Sequence, residues 1–223
     1  MSIELDFASV LSQWPLLLKG VAWTLGLTAV SAVLGVLLGI ACAWVRTEGP
    51  AWSRPAVAAY VELIRNTPFI IQLFFIFFGL PALGLRLGPE WSSVIAMVIN
   101  LGAYSAEIVR AGIQATPIGQ IEAAVSLALT RVQTFIWVVL PPALQRIWPA
   151  LVSQIIIVML GSAVCGQIST EELSFAANLI QSRNFRAFEA FIVATVIYLG
   201  LSMATRAALN WLGERLVFGR RRG

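Results

Sequence analysis

The sequence contains no histidine, and Lys19 and Asp6 are its single lysine and its single aspartate. Histidine is the commonest catalytic base and metal ligand, so its absence argues against an enzyme of that kind and against a resident metal. A Walker phosphate-binding loop ends in Gly-Lys-Ser/Thr, and the context Lys19-Gly20-Val21 cannot supply that ending. We therefore expect that this chain does not hydrolyse ATP in that way and binds no cofactor.

The cysteines are also few. Cys42 and Cys165 are both embedded in apolar sequence, which indicates packing rather than a disulfide framework or a metal site. The net charge of +4 comes from basic residues that are scattered along the chain and not gathered on one soluble face. This distribution does not indicate nucleic-acid binding.

Charge is scarce overall, because 12% of the residues are charged and 59% are hydrophobic. This composition predicts an all-α membrane protein that crosses the bilayer several times. Five apolar runs each reach the roughly 20 residues that a helix needs to span the hydrocarbon core. The predicted spans lie near residues 20–45, 56–84, 92–113, 147–168 and 187–212. We expect one transmembrane domain over residues 20–215, an external lead-in over 1–19 and a basic tail over 216–223.

The basic residues favour one side of this topology. If the amino terminus is external, five spans place most of the arginines on the inner side: Arg46, Arg54, Arg131, Arg146, Arg215, Arg220, Arg221 and Arg222. Cytosolic loops of membrane proteins carry such an excess of basic residues. We therefore predict an external amino terminus and a cytosolic carboxyl terminus, with an arginine-rich tail that attracts anionic lipid headgroups.

Two charged residues lie inside the third predicted span. Glu107 falls roughly 7 Å from the centre of that span, where an unpaired carboxylate is costly. Arg110 follows three residues later and lies on the same helical face. The spacing predicts an ion pair with a structural or gating role.

The second predicted span contains Pro68, which disfavours helical geometry at Thr67 and predicts a kink or a break there. Glu62 and Arg65 lie three residues apart on one face of the preceding turn. We expect them to form a second structural or gating ion pair.

The interval from Glu122 to Pro142, within a stretch over residues 117–142, is the longest between apolar blocks that is still expected to be ordered. Glu122 is expected in the first turn of a short helix, where a negative charge suits the helix dipole. Pro141 and Pro142 are expected to stop the helix. A short helix between membrane spans offers a surface that another protein can bind.

This interval resembles the signature of ABC-importer permease subunits, which is Glu-Ala-Ala, three residues, Gly, nine residues, Ile, one residue and Leu-Pro. The matching residues are Glu122, Ala123, Ala124, Leu140 and Pro141, whereas Ala128 stands where Gly is usual and Val138 where Ile is usual. The resemblance implies that the interval docks on the cytosolic side into a groove of a separate ATPase subunit. Glu122 would bond to nearby basic groups, and the alanines would keep the helix thin. A simple interfacial amphipathic helix is the alternative interpretation.

Two further segments are similar to those of permeases of the polar amino acid type, which carry histidine, glutamine, arginine or opines. The run from Tyr60 to Pro68 matches Tyr-x-Glu-x-x-Arg-Asn-Thr-Pro, and the run from Tyr104 to Ile113 continues the similarity. The resemblance implies a type I ABC importer in the bacterial inner membrane, with the amino terminus in the periplasm. The implied partners are two ATPase subunits, a second permease subunit that is identical or homologous, and a periplasmic amino-acid-binding protein.

The substrate side is the part where the sequence departs from this family. Many members have Lys-Asp/Asn-Thr/Ser-Ser-Leu at the outer end of the fourth span, where this chain has Leu-Gly-Ser-Ala-Val over residues 160–164. Polar residues near the predicted midplane either line the translocation path or bond neighbouring helices: Gln72, Asn100, Tyr104, Gln154 and Ser162. Residues 167–172 are expected outside the membrane, either facing the binding protein or forming an ordinary solvated loop.

Two other functions fit the sequence less well. A secondary transporter driven by an ion gradient would use Glu107 and Arg110 as a relay, but it predicts inverted internal repeats, and the two halves of the chain are not similar. A membrane anchor without transport activity would not explain residues 117–142 or the charges within a span.

Overall fold

Helices form every regular element between residues 5 and 217, the part of the chain that the computed structural model describes. These residues contain no β-strand, which confirms the all-α prediction. The α-helices are α1 (Phe7–Leu11), α2 (Trp14–Glu48), α3 (Arg54–Arg65), α4 (Phe69–Phe74), α5 (Leu80–Ala82), α6 (Pro89–Gln114), α7 (Ile118–Ser126), α8 (Arg131–Gln133), α9 (Leu140–Gly161), α10 (Leu173–Asn184) and α11 (Ala187–Leu212). Three π-helical segments (Phe75–Gly79, Thr134–Val139 and Gly213–Val217) and one 3-10 helix (Ser162–Ile168) continue these helices.

Four of the described helical stretches are long and apolar enough to cross a bilayer: Trp14–Glu48, Pro89–Gln114, Arg131–Ile168 and Ala187–Arg215. The number becomes five if α3 and Phe69–Ala82 are counted as one bent span, in agreement with the five predicted runs. The 35 residues of α2 correspond to a length of about 52 Å, well beyond a hydrocarbon core of about 30 Å. The predicted arginines of the tail, Arg220, Arg221 and Arg222, lie outside the described residues.

The predicted break at Pro68 is confirmed. The axes of α3 and the following Phe69–Ala82 stretch differ by 111°. Helix α3 ends where the Asn66 amide donates to the Glu62 carbonyl at 3.0 Å, and Pro68 has no amide hydrogen to extend the ladder. The side chain of Thr67 also donates to the Leu63 carbonyl at 2.8 Å, which caps the last turn.

The prediction that Pro141 and Pro142 stop a helix is wrong. The helical run that starts at Arg131 continues through both prolines to Ile168. The segment before them, Thr134–Val139, is π-helical, and the Leu140 amide donates to the carbonyl of Phe135, five residues back. A π-helical turn is wider than an α-helical one, so the run passes into α9 although the two prolines supply no amide donors. A second π-helical segment, Phe75–Gly79, precedes Pro81 in the same way.

The chain divides into two compact units, each built from three separate stretches of sequence. The described part of the first unit comprises residues 5–31, Phe69–Met97 and Ile156–Thr205. Its buried apolar core comes from α1, α2, α10 and α11: Val10, Leu17, Leu173, Ala177, Ile180, Ala190 and Ala194. The lead-in is attached to this core, because the Asp6 amide donates to the Glu189 carboxylate at 3.1 Å.

The first unit also contains a carboxylate with no exposed surface, Glu172. Its oxygens accept hydrogen bonds from the Ser174 amide at 2.8 Å, the Phe175 amide at 2.8 Å and the Tyr198 hydroxyl at 2.6 Å. These bonds cap the start of α10 and tie it to α11. The solvated-loop interpretation of residues 167–172 is therefore wrong for Glu172 and also for Thr170, which is buried against Ser93.

The second unit comprises Ala32–Pro68, Val98–Ile155 and, within the described chain, residues 206–217. Helices α2 and α6 pack closely in it, because Gly35 lies against Leu101 and Gly39 lies against Ser105 and Ala106. A Cβ atom on Gly39 would meet the Ala106 amide nitrogen at 2.9 Å, closer than real Cβ atoms approach. Small residues of this kind allow two membrane helices to approach each other.

We predict opposite effects for two glycine substitutions in α2. Gly39→Ala should destabilise the protein by about 1–3 kcal/mol, because the new methyl group meets the α6 backbone. Gly26→Ala is the matched control, since a Cβ there has nothing within 4 Å and alanine is the better helix former. Thermal unfolding of the purified protein followed by tryptophan fluorescence measures both. Equal melting temperatures for the two variants would contradict the close packing.

Candidate functional site

The candidate site is α7 with the turn that follows it, and it differs in two respects from the sequence prediction. Helix α7 begins at Ile118, directly after the extended Pro117, so Glu122 is its fifth residue and does not lie in the first turn. The helix ends at Ser126, well before the prolines that were expected to end it. Glu122 and Ala123 are exposed, whereas Ala124 is buried within the second unit.

The turn after α7 has a conformation that suits the glycine usual at position 128 in the permease signature that this interval resembles. The Leu129 amide donates to the Ala124 carbonyl at 3.1 Å, and the Ala128 amide donates to the Val125 carbonyl at 2.9 Å. This pair of bonds is a Schellman motif, in which one residue must adopt the left-handed conformation. Ala128 is that residue, with φ of 56°. It therefore lies beyond the helix and sets the turn, and it does not act by keeping the helix thin.

Helix α8 begins at Arg131 with a capping box, in which Thr130 is the N-cap residue. The Thr130 hydroxyl accepts from the Gln133 amide at 3.3 Å, and the Gln133 side chain accepts from the Thr130 amide at 2.9 Å. These bonds satisfy backbone donors at the start of α8. Residues 126–131 are thus a tight connection fixed at both ends.

Three large apolar side chains of α7 and its C-cap are exposed, among exposed polar residues of the same helix, Gln120, Glu122 and Ser126. Ile118, Val125 and Leu127 expose 74%, 66% and 75% of their surface. Ile118 and Val125 are seven residues apart and lie on one helical face, where exposed apolar side chains can contact another molecule. Leu140 packs at the edge of a core cluster, whereas Pro141 is exposed.

The predicted ion pair in the third span is present and contains a third member. Arg110 donates to the Glu107 carboxylate at 2.7 Å, and Arg46 of α2 also forms an ion pair with Glu107. The side chains of Arg46 and Glu107 are only 21% and 19% exposed. Arg46 was missed because pairs between different helices depend on their packing. The predicted topology did place Arg46 at the inner end of the first span, the side toward which Glu107 lies.

Glu62 and Arg65 do not form the predicted ion pair in the part of the chain that the structure describes, residues 5–217. The Arg65 guanidinium lies over the ring of Tyr104 instead, 5.5 Å from its centroid, which is a cation–π arrangement. The neighbouring Tyr60 donates its hydroxyl to the Ile99 carbonyl at 2.7 Å. Both contacts fix α3 against α6 within the second unit.

The residues predicted for the substrate path are distributed over both units. Gln72 and Ser162 belong to the first unit, and Asn100, Tyr104 and Gln154 belong to the second. Ser162 donates to the Met159 carbonyl of its own helix at 2.6 Å, which is a local bond. Asn100 and Tyr104 are one turn apart on the same face of α6. Gln72 and Asn100 are nearly buried.

Comparison with solved structures defines the class of protein. One chain of an amino acid ABC transporter, in a crystal structure with histidines, is 35% identical to this chain with a TM-score of 0.85, and the match covers 96% of this chain and 100% of that chain. The MetNI methionine ABC transporter in an inward-facing conformation shares the fold, with a TM-score of 0.66 and 22% identity. The protein has the permease fold of type I ABC importers.

The sequence comparisons then identify the family. Residues 35–218 match the model of the binding-protein-dependent transport system inner membrane component, and the chain belongs to this family. The glutamine transport system permease protein GlnP of Escherichia coli K12 is 32% identical over 216 residues, which are 96% of this chain and 99% of GlnP. The arginine transport system permease protein ArtQ of Bacillus subtilis is 34% identical over 88% of this chain and 90% of its own. These findings support the permease prediction and not the ion-gradient alternative.

We predict that Ala128→Gly stabilises the protein by up to about 1 kcal/mol, because glycine adopts the left-handed conformation without steric strain. Ala123→Gly is the control in the exposed part of α7, where glycine should cost about 1 kcal/mol. Thermal unfolding of both variants tests the assignment. A loss of stability in Ala128→Gly equal to that in Ala123→Gly would contradict it.

We also predict that the Arg46 and Glu107 side chains are energetically coupled. A double-mutant cycle with Arg46→Gln and Glu107→Gln should give a coupling of about 1–3 kcal/mol, since both groups are largely removed from water. The exposed pair of Lys19 and Glu171 provides the comparison and should give less than about 1 kcal/mol. Each cycle is measured as the free energy of unfolding in detergent. Similar values for the two pairs would show that burial does not strengthen the Glu107 contact.

Proposed function

We propose that this chain is the permease subunit of an ATP-driven importer for amino acids. The observation that carries the proposal is the 35% identity and TM-score of 0.85 to one chain of an amino acid ABC transporter, over nearly the whole of both chains. The relatives named for glutamine, arginine and L-cystine transport all carry amino acids, which supports the same substrate class.

In this proposal, two permease subunits enclose the translocation path. The second subunit is a copy of this chain or a homologue. A periplasmic binding protein delivers the amino acid, and two ATPase subunits bind at the cytosolic side. The amino terminus is periplasmic and the carboxyl terminus cytosolic, as the distribution of arginines favours.

Helix α7 is the element that the ATPase contacts. The exposed apolar side chains of Ile118 and Val125 in α7 and of Leu127 at its C-cap suit burial in a groove of a partner protein. The connection to the membrane helices is stiff, because the Schellman turn and the capping box fix it and the helical run from Arg131 continues to Ile168. A displacement of α7 is therefore transmitted to the fourth span, where it favours one of two packed arrangements of the helices.

The residues proposed for the path are Gln72, Asn100, Tyr104, Gln154 and Ser162. Their neutral amides and hydroxyls can bond to the carboxylate and the ammonium group of an amino acid. The Glu107 carboxylate, held by Arg46 and Arg110, fixes α2 against α6 within the second unit.

Leu127→Asp should abolish ATP-driven amino-acid uptake, because a charge replaces the apolar surface that binds the ATPase. Ala128→Trp should have the same effect, but a bulky residue with positive φ also strains the turn, so Leu127 gives the cleaner test. The matched control is Leu83→Asp, which introduces the same charge at another exposed leucine.

The measurement is uptake of glutamine, arginine and cystine into proteoliposomes that contain the permease and its ATPase, with the binding protein outside. ATP hydrolysis is recorded in parallel. Uptake by the permease alone would contradict the proposed function, and so would full uptake by the Leu127→Asp variant.

A further inference from the structure

The end of α6 packs closely against the start of α9 within the second unit. An added Cβ atom on Gly112 would meet the Ile147 Cγ2 atom at 2.6 Å and the Ala143 carbonyl oxygen at 3.3 Å. Ile147 belongs to a buried apolar cluster that also contains Val109 of α6 and Leu151 of α9. The last turns of α6 and the first turns of α9 therefore form one tightly packed contact.

Arg146 of α9 adds a polar bond to this contact. Its guanidinium group donates to the Ala115 carbonyl at 2.9 Å, and the same nitrogen lies 3.5 Å from the Gly112 carbonyl. Both carbonyls lie at the end of α6, where the last carbonyls of a helix have no amide partner within it and where a cation suits the helix dipole. Arg146 is exposed, whereas Gly112, Thr116 and Ile147 are buried. The bond therefore lies at the rim of a buried contact and caps α6 from a different helix.

Helix α7 is joined to this packed pair at both of its ends. Only residues 115–117 separate the end of α6 from the start of α7. The Thr116 amide donates to the Ile113 carbonyl at 3.0 Å, which holds this short link against the end of α6. At the other end of α7, the tight turn leads into the helical run from Arg131, which continues through α9. A displacement of α7 therefore acts on α6 and on α9.

We propose that Arg146 is a positioning residue, which makes α6 and α9 move together when α7 is displaced. This inference rests on the proposed function of α7. Apolar packing is non-directional, so packing alone lets two helices slide past each other. The bond from Arg146 to the Ala115 carbonyl fixes the end of α6 to one position along α9. Without it, part of the displacement is lost as sliding between the two helices.

The two helices carry most of the residues proposed for the translocation path. Asn100 and Tyr104 are on α6, and Gln154 is on α9. When the ends of these helices are fixed to each other, one displacement of α7 moves both sets of side chains at the same time. Arg146 contacts neither the path nor the exposed face of α7, so its effect is on the transmission of movement.

A second arginine makes the same kind of bond and provides the matched control. The Arg54 Nε atom donates to the Gly49 carbonyl at 2.9 Å, just beyond the end of α2. This bond joins residues that are only five apart, and it does not involve α6, α7 or α9. Arg54→Met therefore removes one arginine–carbonyl bond and one positive charge, as Arg146→Met does, but leaves the contact between α6 and α9 intact.

The first measurement is hydrogen exchange of the permease alone in detergent, which does not depend on the proposed function. The Ala115 and Thr116 amides donate to carbonyls of α6. In Arg146→Met they should exchange at least about twofold faster than in the wild type, because the end of α6 is no longer held. In Arg54→Met they should exchange at the wild-type rate. The melting temperature of each variant is recorded, and only folded variants are compared.

The second measurement is the number of amino acids taken up per ATP hydrolysed, in proteoliposomes that contain the permease and its ATPase, with the binding protein outside. The substrate is whichever of glutamine, arginine and cystine the wild type takes up fastest. Arg146→Met should lower this ratio about fivefold while ATP hydrolysis continues, because α7 keeps its exposed face. Arg146→Lys keeps the charge and one donor and should lie between Arg146→Met and the wild type. Arg54→Met should keep the wild-type ratio.

The results separate this inference from the proposed function. A wild-type ratio in Arg146→Met would overturn the inference and leave the proposed function intact. Unchanged exchange at Ala115 and Thr116 would also overturn it, and so would an equal fall of the ratio in Arg54→Met, which would trace the effect to the loss of any helix cap. If the wild type takes up no amino acid with its ATPase and ATP, the proposed function fails and the inference fails with it.

Discussion

A carboxylate buried in a membrane protein must be neutralised or fully hydrogen-bonded, and this constraint organises both compact units. In the second unit, Glu107 binds Arg46 and Arg110 and so joins α2 to α6. In the first unit, Glu172 accepts hydrogen bonds from Ser174, Phe175 and Tyr198 and so joins α10 to α11. Glu107 therefore connects two helices that are distant in sequence, whereas Glu172 connects two consecutive helices. The loss of either would leave polar groups without partners inside the bundle.

Backbone polar groups in a membrane helix must also be hydrogen-bonded, and each proline removes a hydrogen-bond donor from a helix. The structure accommodates the lost donor in two ways. At Pro68 the helix breaks and turns by 111°, whereas at Pro141 a π-helical segment precedes the proline and the helical run continues. The first response produces a bent span, and the second produces a stiff link between the exposed α7 and the fourth span. The proposed coupling depends on that stiffness.

The turn after α7 depends on one backbone torsion. The Schellman turn requires a left-handed residue at position 128, where glycine fits without strain and alanine is tolerated. The position matters because the turn directs the chain from α7 into the run that begins at Arg131.

The sequence by itself determined the features that depend on composition and on neighbours along the chain. The apolar runs are long enough to predict the spans, Pro68 cannot continue a helical ladder, and Glu107 and Arg110 share a helical face at a spacing of three residues. The motif spacing also indicated the permease family, which the comparisons confirm. All of these are local properties, or sums of local properties.

Only the tertiary structure decided which distant groups meet. The pairing of Arg46 with Glu107, the position of Arg65 over Tyr104 and the complete burial of Glu172 depend on how helices pack, and spacing along one helix does not specify that. The sequence also did not predict that the helix continues through Pro141. Helix propensity accounts for the hydrogen-bond donor that proline lacks, but it does not account for the π-helical turn that compensates for this loss. Long-range packing decides between local backbone conformations and side-chain pairings that differ little in free energy on their own.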